Sequence, residues 1–394
     1  MNILMVLSDN TFPPDIRVKK EAKSLIDAGH RVFLICRRGA NQAKSEVVNG
    51  VYVYRISFPF SSIPRIFSFL YLTIYRFIII PYILFIAKRH KIDVLHVHDL
   101  PFALATCIVG KILKKPVVFD MHEDYIAMML YGSKNNFKVR ILSKILEIEE
   151  KIVLKLSTKI IVVVEEEIRR LVRLGVPIHK IVVIHNTEDP DELDKLQSSI
   201  PDFSEQFRDK FVMAYIGGFS RHRGLDILIK AMPLILAEIP NAHLLLVGDG
   251  VMKDQLVRMY KKLGIEDKVT FTGWVSFEEA MGYLKISDVC VIPYHKTRQT
   301  NKSFPHKLSQ YMYFGKPIVV SDVESLKRIV KETGCGIIFK AGDYKDLARK
   351  IIEAKKQNLL KRLGEKARIA FEEKYNWCNT SKKLIELYLS LIHI

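Results

Sequence analysis

Phe211 to Met232 read FVMAYIGGFSRHRGLDILIKAM, and this stretch decides the fold. An uninterrupted apolar run is followed by two glycines and then by a helical pattern that begins near Gly224. Such a run is typical of a strand that is covered on both faces of a parallel sheet. Glycine lets the chain turn sharply from the strand into the helix that covers it. The stretch therefore predicts one strand–turn–helix unit of an α/β fold.

The same unit recurs along the chain in two series. The first has the apolar runs ILMVLS, RVFLIC, VYVYRI, DVLHVH, PVVFDMH, KIIVVV and IVVIHN, and the second has FVMAYIG, HLLLVG, VTFTGW, VCVIPY, PIVVSD and GIIFK. An acidic, proline-bearing interval separates the two series. We therefore predict two doubly wound α/β domains, 1–186 and 211–374, with a linker at 187–210 and a terminal helix at 375–394.

The composition is that of a folded protein, with 49% hydrophobic and 26% charged residues, and the net charge is +18. This charge suits nucleic acid, an anionic membrane or phosphorylated ligands, although a lysine-rich surface with no partner explains it equally well. The chain lacks helix-turn-helix, zinc-finger and RNP patterns, so we expect no nucleic-acid partner. Five scattered cysteines and the absence of a signal-peptide pattern predict a cytoplasmic protein.

One hydrophobic stretch, Ile66 to Ala87 within a predicted insert at 63–90, departs from the pattern. It is long enough to cross a bilayer, but Arg76 and Pro81 interrupt it and KRHK ends it. Three alternatives stay open: a spanning segment, a buried helix pair, or helices at an anionic membrane surface. The surface alternative is favoured, because it also accounts for the excess of basic residues.

A phosphate site is predicted in the turn that follows the strand FVMAYIG. Glycine backbone N–H groups can approach a phosphate closely, and the next helix directs its positive end to the same place. Arginine side chains can add charge-assisted hydrogen bonds to a diphosphate. A second glycine turn, GDG, ends the strand HLLLVG, where a structural turn is as probable as a ligand contact. The residues concerned are Gly217, Gly218, Arg221, Arg223 and Gly248.

A helix that starts near Pro305 is predicted to complete this site. It would carry His306 and Lys307 in its first turn and Gln310 one turn later. Cations at a helix N-terminus interact unfavourably with the helix dipole. A basic first turn is therefore better explained when an anion binds there and offsets its positive charge. Gln310 can form a hydrogen bond with a ribose hydroxyl.

In the first half of the chain, two predicted strands end in histidines and carboxylates, DVLHVHD and VVFDMHED. Such strand ends suit acid–base work or the binding of hydroxyl groups, although a structural hydrogen bond is as probable for any one histidine. His96 and His98 could bind one metal ion only with a third ligand nearby, and we predict no metal. The residues are His96, His98, Asp99, Asp120, His122, Glu123 and Asp124.

Taken together, these motifs resemble the retaining glycosyltransferases of family 4. The resemblance runs from PPDIRVKKEAKSLIDAGHRV through HVHD, FDMHEDY, YIGGFSRHRGLDILIKAM, LLLVGDG and VTFTGWVSFEE to PHKLSQYMYFGKPIVVSD. It implies the GT-B architecture, in which two facing Rossmann-like domains enclose a cleft and a C-terminal helix crosses back to the first domain. It also implies transfer of a sugar from a nucleotide-diphosphate donor to a glycan or lipid-linked acceptor, with retention of configuration and without a metal or other cofactor.

The resemblance also implies roles for individual residues. Arg223 and Lys307 would stabilise the leaving diphosphate, and His122 would contact the donor sugar. The family often has Arg where Gly218 stands and glutamates where Lys302 and Gln310 stand, so three usual donor contacts are replaced. The remaining implied residues are Gly217, Arg221, Gly248, Trp274, Val275 and His306 for the donor, and Asp15, Arg17, His98, Asp99 and Glu123 for the acceptor.

The expected mechanism is a front-face displacement in which a leaving phosphate oxygen takes the proton of the acceptor hydroxyl. A glycan or lipid-linked acceptor predicts a role in polysaccharide or surface-glycan synthesis. The protein would then be peripheral to the cytoplasmic face of the membrane. Two other classes remain open: another GT-B enzyme such as a sugar-nucleotide epimerase, and a non-catalytic nucleotide-sugar-binding module. The missing helix glutamates favour the binding module.

Overall fold

The computed structural model describes residues 1–57, 77–122, 124–130 and 137–392 of the chain. It divides into two compact units, of which the first is Met1–His185 together with the C-terminal residues from Ser381. The second unit is Asn186–Thr380. Each unit contains one sheet, and its paired strands are parallel except for one antiparallel edge strand in the first unit.

Strands and helices follow one another along the first unit. In chain order they are β1 (Asn2–Thr11), α1 (Ile16–Asp27), β2 (Arg31–Arg37), β3 (Ser45–Val48), β4 (Val51–Ile56), α2 (Ile80–Arg89), β5 (Val94–His98), α3 (Ala103–Leu113), β6 (Val117–Met121), α4 (Tyr125–Leu130), α5 (Phe137–Leu156), β7 (Lys159–Val162), α6 (Glu166–Arg173) and β8 (Ile181–Val183).

The second unit continues the numbering, and its last helix ends among residues of the first unit. The elements are α7 (Pro190–Leu196), β9 (Phe211–Ile216), α8 (Leu225–Glu238), β10 (Ala242–Val247), α9 (Lys253–Lys262), β11 (Val269–Gly273), α10 (Phe277–Lys285), β12 (Val289–Ile292), α11 (His306–Tyr313), β13 (Ile318–Ser321), α12 (Glu324–Thr333), β14 (Gly336–Phe339), α13 (Tyr344–Lys356), α14 (Leu360–Glu373) and α15 (Trp377–Leu389).

Both sheets are doubly wound, as the sequence predicts. The strand order is β3-β4-β2-β1-β5-β6-β7-β8 in the first unit and β11-β10-β9-β12-β13-β14 in the second. In each sheet the chain starts at an inner strand and moves outward in both directions, so helices cover both faces. Leu4 on β1 pairs with Phe33 on one side and with Leu95 on the other, and all three side chains are buried. The order reverses between β1 and β5 and between β9 and β12, which is where ligands bind in sheets of this kind.

Part of the predicted linker forms a helix. Residues from Asn186 onward belong to the second unit, and Pro190–Leu196 form helix α7. The Asp189 carboxylate caps that helix by accepting a hydrogen bond from the backbone N–H of Asp191, and Pro190 occupies its first turn. Acidic residues and proline are favourable at a helix N-terminus, so the composition that suggested a linker is that of a helix start.

The hydrophobic insert lies partly outside the described residues, which resume at Phe77. Its described part contains α2, and Pro81 lies in the first turn of this helix. Ile83 and Ile86 pack into the core of the first unit, whereas Phe85 is 55% exposed. Among the residues that the structure describes, no helix is both long enough and apolar enough to span a membrane.

Candidate functional site

Two glycines at strand ends bring two loops of the second unit together. Gly217 follows β9 with φ +127°, and a Cβ there would lie 2.9 Å from Nζ of Lys307. A Cβ on Gly248, which follows β10, would lie 2.4 Å from the carbonyl oxygen of Gly217. Gly248 is therefore required for the close packing of the loops, and Gly217 leaves room for the lysine amine.

Lys307 and Arg223 approach each other around two buried tyrosines. Nζ of Lys307 lies 3.5 Å from the ring centroid of Tyr215 and 5.8 Å from that of Tyr294. The guanidinium carbon of Arg223 lies 4.6 Å from the Tyr294 centroid, and its Nη1 donates a hydrogen bond to the Tyr294 hydroxyl. Aromatic faces attract cations, so the two rings hold both positive groups in place.

The amine of Lys307 is buried close to a second basic group. Lys307 is only 8% exposed, and none of the described carboxylates lies within ion-pair distance of its Nζ. Burial and then the charge of Arg223 hold the pKa of Lys307 well below its usual value. Burial and the same arginine lower the pKa of His222 to about 4. This arrangement is suited to a multiply charged anion such as a diphosphate.

Helix α11 begins as the sequence predicts, with Pro305 as its N-cap residue. Several of its polar side chains contact Glu188, a residue that the sequence analysis did not identify as part of the site. Oε1 of Glu188 accepts a hydrogen bond from Nε2 of Gln310 at 3.0 Å and lies 3.1 Å from Nδ1 of His306. The backbone N–H of Glu188 donates to Oγ of Ser309 at 2.9 Å. A buried carboxylate is thereby fixed beside Gln310, although the helix itself lacks one.

The other predicted donor-side residues are less buried. Gly218 and Arg221 are exposed, and Lys302 is half-buried. Trp274 is 72% exposed, and its ring edge lies 3.9 Å from the position that a Cβ of Gly218 would take. Val275 follows it and is half-buried. The tryptophan ring therefore lies beside Gly218.

A second polar cluster lies at the carboxyl ends of β5 and β6 in the first unit. Asp120 is fully buried, and its Oδ2 is hydrogen-bonded to Nδ1 of His98 at 2.9 Å and to Nε2 of His122. Nδ1 of His96 bonds the hydroxyl of Tyr388 at 2.7 Å. The two strand ends that the sequence singles out are therefore joined through one carboxylate.

Glu21, on α1, completes this cluster and was not predicted. Its Oε2 lies 3.8 Å from Nε2 of His96 and its Oε1 lies 3.7 Å from Nε2 of His122. Burial and the nearby charge of Asp120 raise the pKa of Glu21 well above its usual value. Burial alone would raise the pKa of Asp120 too, but His122 beside it brings that pKa well below the usual value. The two pKa values are therefore shifted apart, which favours the charged form of Asp120 over that of Glu21.

Several buried atoms of the cluster have no hydrogen-bond partner among the described residues: Oε2 of Glu21, Nε2 of His96, Nε2 of His98, Oδ1 of Asp120 and Nδ1 of His122. Glu21, His96, His98 and Asp120 each offer one ligand atom, and these atoms lie within 4.8 Å of one another. Imidazole and carboxylate ligands suit zinc and similar ions. These four residues could therefore hold a metal ion if the prediction of no metal is wrong.

Three predicted acceptor-side residues lie beside the cluster. The Asp15 carboxylate caps α1 through the backbone N–H groups of Arg17 and Val18, and it also accepts a hydrogen bond from Asn10. Nη2 of Arg17 donates to the Asp99 carboxylate at 3.3 Å. Asp15 therefore has a structural task, and Arg17 links α1 to the end of β5. Glu123 lies outside the described residues.

Comparison with protein families gives two matches that together span most of the chain. The model of Glycosyltransferase Family 4 matches residues 16–192, and the model of Glycosyl transferases group 1 matches residues 197–370. A glycosyltransferase of Methanocaldococcus jannaschii is 28% identical to this chain, and the match covers 98% of both chains.

Solved structures share the fold over the whole chain. Sucrose-phosphate synthase from Thermosynechococcus elongatus has a TM-score of 0.74 at 19% identity and covers 100% of both chains. Anabaena HepE in complex with UDP has a TM-score of 0.69 at 16% identity and covers 99% of this chain and 100% of its own.

Proposed function

The chain belongs to the family-4 glycosyltransferases and has the GT-B fold, and we propose that it transfers a sugar, with retention of configuration, from a nucleotide-diphosphate sugar. The first unit binds a glycan or lipid-linked acceptor, and the second binds the donor. The observation that carries the proposal is the buried Lys307 amine beside Gly217, which shares the ring of Tyr294 with the half-buried Arg223. A diphosphate bound there would accept charge-assisted hydrogen bonds from both side chains.

In the proposed reaction the acceptor hydroxyl oxygen forms a bond to the anomeric carbon of the donor sugar. The bond from that carbon to the diphosphate oxygen breaks on the same face, and the hydroxyl proton moves to the leaving phosphate oxygen. Lys307 and Arg223 stabilise the negative charge that grows on the diphosphate, which is the largest contribution the protein must make. No step in this sequence needs a metal ion.

His122 is proposed to contact the reacting sugar through Nδ1. Asp120 accepts a hydrogen bond from Nε2 of this histidine, which leaves Nδ1 with a lone pair and no described partner. Burial and then Arg17 lower the pKa of His122, so the ring is held neutral. A neutral ring can accept a hydrogen bond from a sugar hydroxyl.

Donor binding is tested by thermal shift with UDP-, GDP-, ADP- and CMP-sugars in buffer with EDTA. We expect one class to stabilise the protein selectively, by about 2.7 kcal/mol at a concentration of 100 Kd. Turnover with that donor should survive EDTA, and elemental analysis measures whether the Glu21, His96, His98 and Asp120 group holds an ion. Binding without turnover would favour the non-catalytic module, and loss of turnover on removal of a bound ion would contradict the metal-free reaction.

Glu188 is proposed to replace the carboxylate that Gln310 lacks. Together the two side chains offer a carboxylate and an amide at the place where the family's helix would offer a glutamate to a ribose hydroxyl. The hydrogen bond between them joins one donor and one acceptor, so exchanging the two residues would preserve it. Gln310→Glu alone would place two carboxylates together, where like charges repel.

We expect Glu188→Gln and Gln310→Glu each to weaken binding of the nucleotide that the thermal shift selects about 10-fold, the effect of one charge-assisted hydrogen bond. The double variant should recover most of the affinity, because it restores one carboxylate and one amide. Isothermal titration with that nucleotide measures all three. If the loss of binding free energy in the double variant equals the sum of the losses in the two single variants, the residues do not act as a pair.

We further propose that the protein is peripheral to an anionic membrane on the cytoplasmic side, where lipid-linked acceptors are available. Helix α2 supports this, because Phe85 is exposed and the guanidinium carbon of Arg89 lies 5.9 Å from its ring centroid. An apolar side chain next to a basic one is favourable at a headgroup layer. A role in surface-glycan or polysaccharide synthesis follows from an acceptor of this kind.

A further inference from the structure

Helix α5 exposes a row of large apolar side chains along its outer side. The exposed fractions are 73% for Phe137, 40% for Ile141, 39% for Ile145, 61% for Ile148 and 43% for Ile152. With about 100° between successive residues, the five side chains fall within an arc of about 80° and extend along about 22 Å of the helix. The opposite side buries Leu142, Leu146, Val153 and Leu154 in the core of the first unit. We call the exposed row the α5 stripe.

The α5 stripe is bordered by positive charge. Four of the exposed basic residues lie along one edge of the apolar arc, and the fifth lies at the other edge. Of the acidic residues of the helix, Glu149 and Glu150 are buried, and Glu150 pairs with Arg170 at 2.8 Å, whereas Glu147 is half-buried and lies at the outer side of the basic edge. The exposed side of the helix thus combines apolar and basic groups with no exposed acidic group. The basic residues are Lys138, Arg140, Lys144, Lys151 and Lys155.

The neighbouring helices extend this surface. Helix α3 contacts both α2 and α5, so the three helices lie in one layer over the sheet. Exposed apolar side chains occur on this layer as well, with Ile112 on α3 at 56% and Phe85 on α2 at 55%. An exposed apolar surface of this kind marks an interaction site.

We propose that the α5 stripe docks on an anionic lipid bilayer, with the helix lying in the plane of the interface. The isoleucines and Phe137 would enter the boundary between headgroups and acyl chains, while the basic residues contact lipid phosphates. A second copy of the chain fits poorly, because a symmetric dimer through this face would bring five cations against the same five. The inference rests on the proposed membrane association and names the element responsible.

The test is sedimentation of the full chain with phosphatidylcholine vesicles that contain 30% or no phosphatidylglycerol. We expect binding only to the anionic vesicles. Ile148→Ser/Ile152→Ser and, separately, Lys144→Glu/Lys151→Glu should each lower the partition coefficient at least about 10-fold. The control is Ile178→Ser, which changes a still more exposed isoleucine (67%) of the first unit outside α5 and should bind as the wild type does.

Thermal shift with the donor sugar is measured on the same samples, because donor residues lie in the second unit and should be unaffected. The proposal would be overturned if both α5 variants had the partition coefficient of the wild type. It would also be overturned if the control lost as much vesicle binding as they do. A wild-type dimer that the isoleucine variant dissociates would overturn it too, since the stripe would then bind a second copy. If the wild-type protein does not bind anionic vesicles, the membrane proposal is wrong. That result would not affect the proposed donor site.

Discussion

Lys307→Met is expected to make the protein more stable and nearly inactive. Methionine fits the length of the lysine side chain but removes a buried amine that has no carboxylate partner among the described residues. We expect Tm to rise by about 2–4 °C, the effect of about 1 kcal/mol in a domain of this size. Because the protonated amine would stabilise the leaving diphosphate, kcat/KM should fall by about 100- to 1,000-fold. Calorimetry and steady-state kinetics measure the two effects.

The control is Lys331→Met, which changes an exposed lysine on α12 of the same unit and should alter neither quantity. A Lys307→Met protein that loses stability would show that Lys307 is a structural residue. If the variant keeps the kcat/KM of the wild type, we would assign the stabilisation of the leaving group to Arg223 instead. Opposite changes in stability and activity are the signature of a charge that is held in place for its ligand.

The lowered pKa of Lys307 also gives a pH dependence with a definite sign. Between this lowered pKa and the higher pKa of the unfolded chain, the unfolded state binds more protons, so stability conferred through Lys307 rises with pH. A bound diphosphate favours the ammonium form, so binding takes up a proton and weakens as pH rises through that window. Titration calorimetry in two buffers of different ionisation enthalpy detects this proton, and Lys307→Met should abolish it.

The sequence predicts the start of helix α11 correctly, because its residues are close along the chain. Pro305, His306, Lys307 and Gln310 lie within two turns of one helix, and the helix starts where it was predicted. Glu188 was missed because it is 122 positions from Gln310, and no local pattern links the two residues. Its acidic neighbours pointed to a linker, although its position just after the last strand of the first unit was a usable signal.

Glu21 was missed for a different reason. It lies three residues after Val18 and four before Leu25, on the buried side of α1, and a charged residue at such a position is rare unless it has partners. The helical pattern therefore held the signal, but the partners come from β5 and β6, which only the folded sheet brings to α1. Predictions from periodicity gave the sheet and its helices, whereas the polar contacts between distant elements required the structure.

Asp120→Asn is expected to have the largest effect in the first unit. The residue is fully buried, and its one carboxylate oxygen bonds both His98 and His122. Asparagine keeps the shape and an oxygen acceptor but removes the negative charge, so both histidines lose a charge-assisted hydrogen bond. Removal of one partner from such a buried network costs about 3 kcal/mol. Transfer should fall at least about 100-fold, because His122 would lose the group that fixes its tautomer.

Denaturant unfolding and steady-state kinetics test this expectation, with Asp27→Asn on the exposed end of α1 as the control. The pKa of Asp120 is lowered in the fold, so its contribution to stability is present above the unfolded pKa and disappears as pH falls through the folded pKa. The variant should therefore differ from the wild type at pH 7 and approach it in acid. Full activity in Asp120→Asn would mean that His122 is oriented without the Asp120 charge, and the proposed sugar contact through Nδ1 would lose its basis.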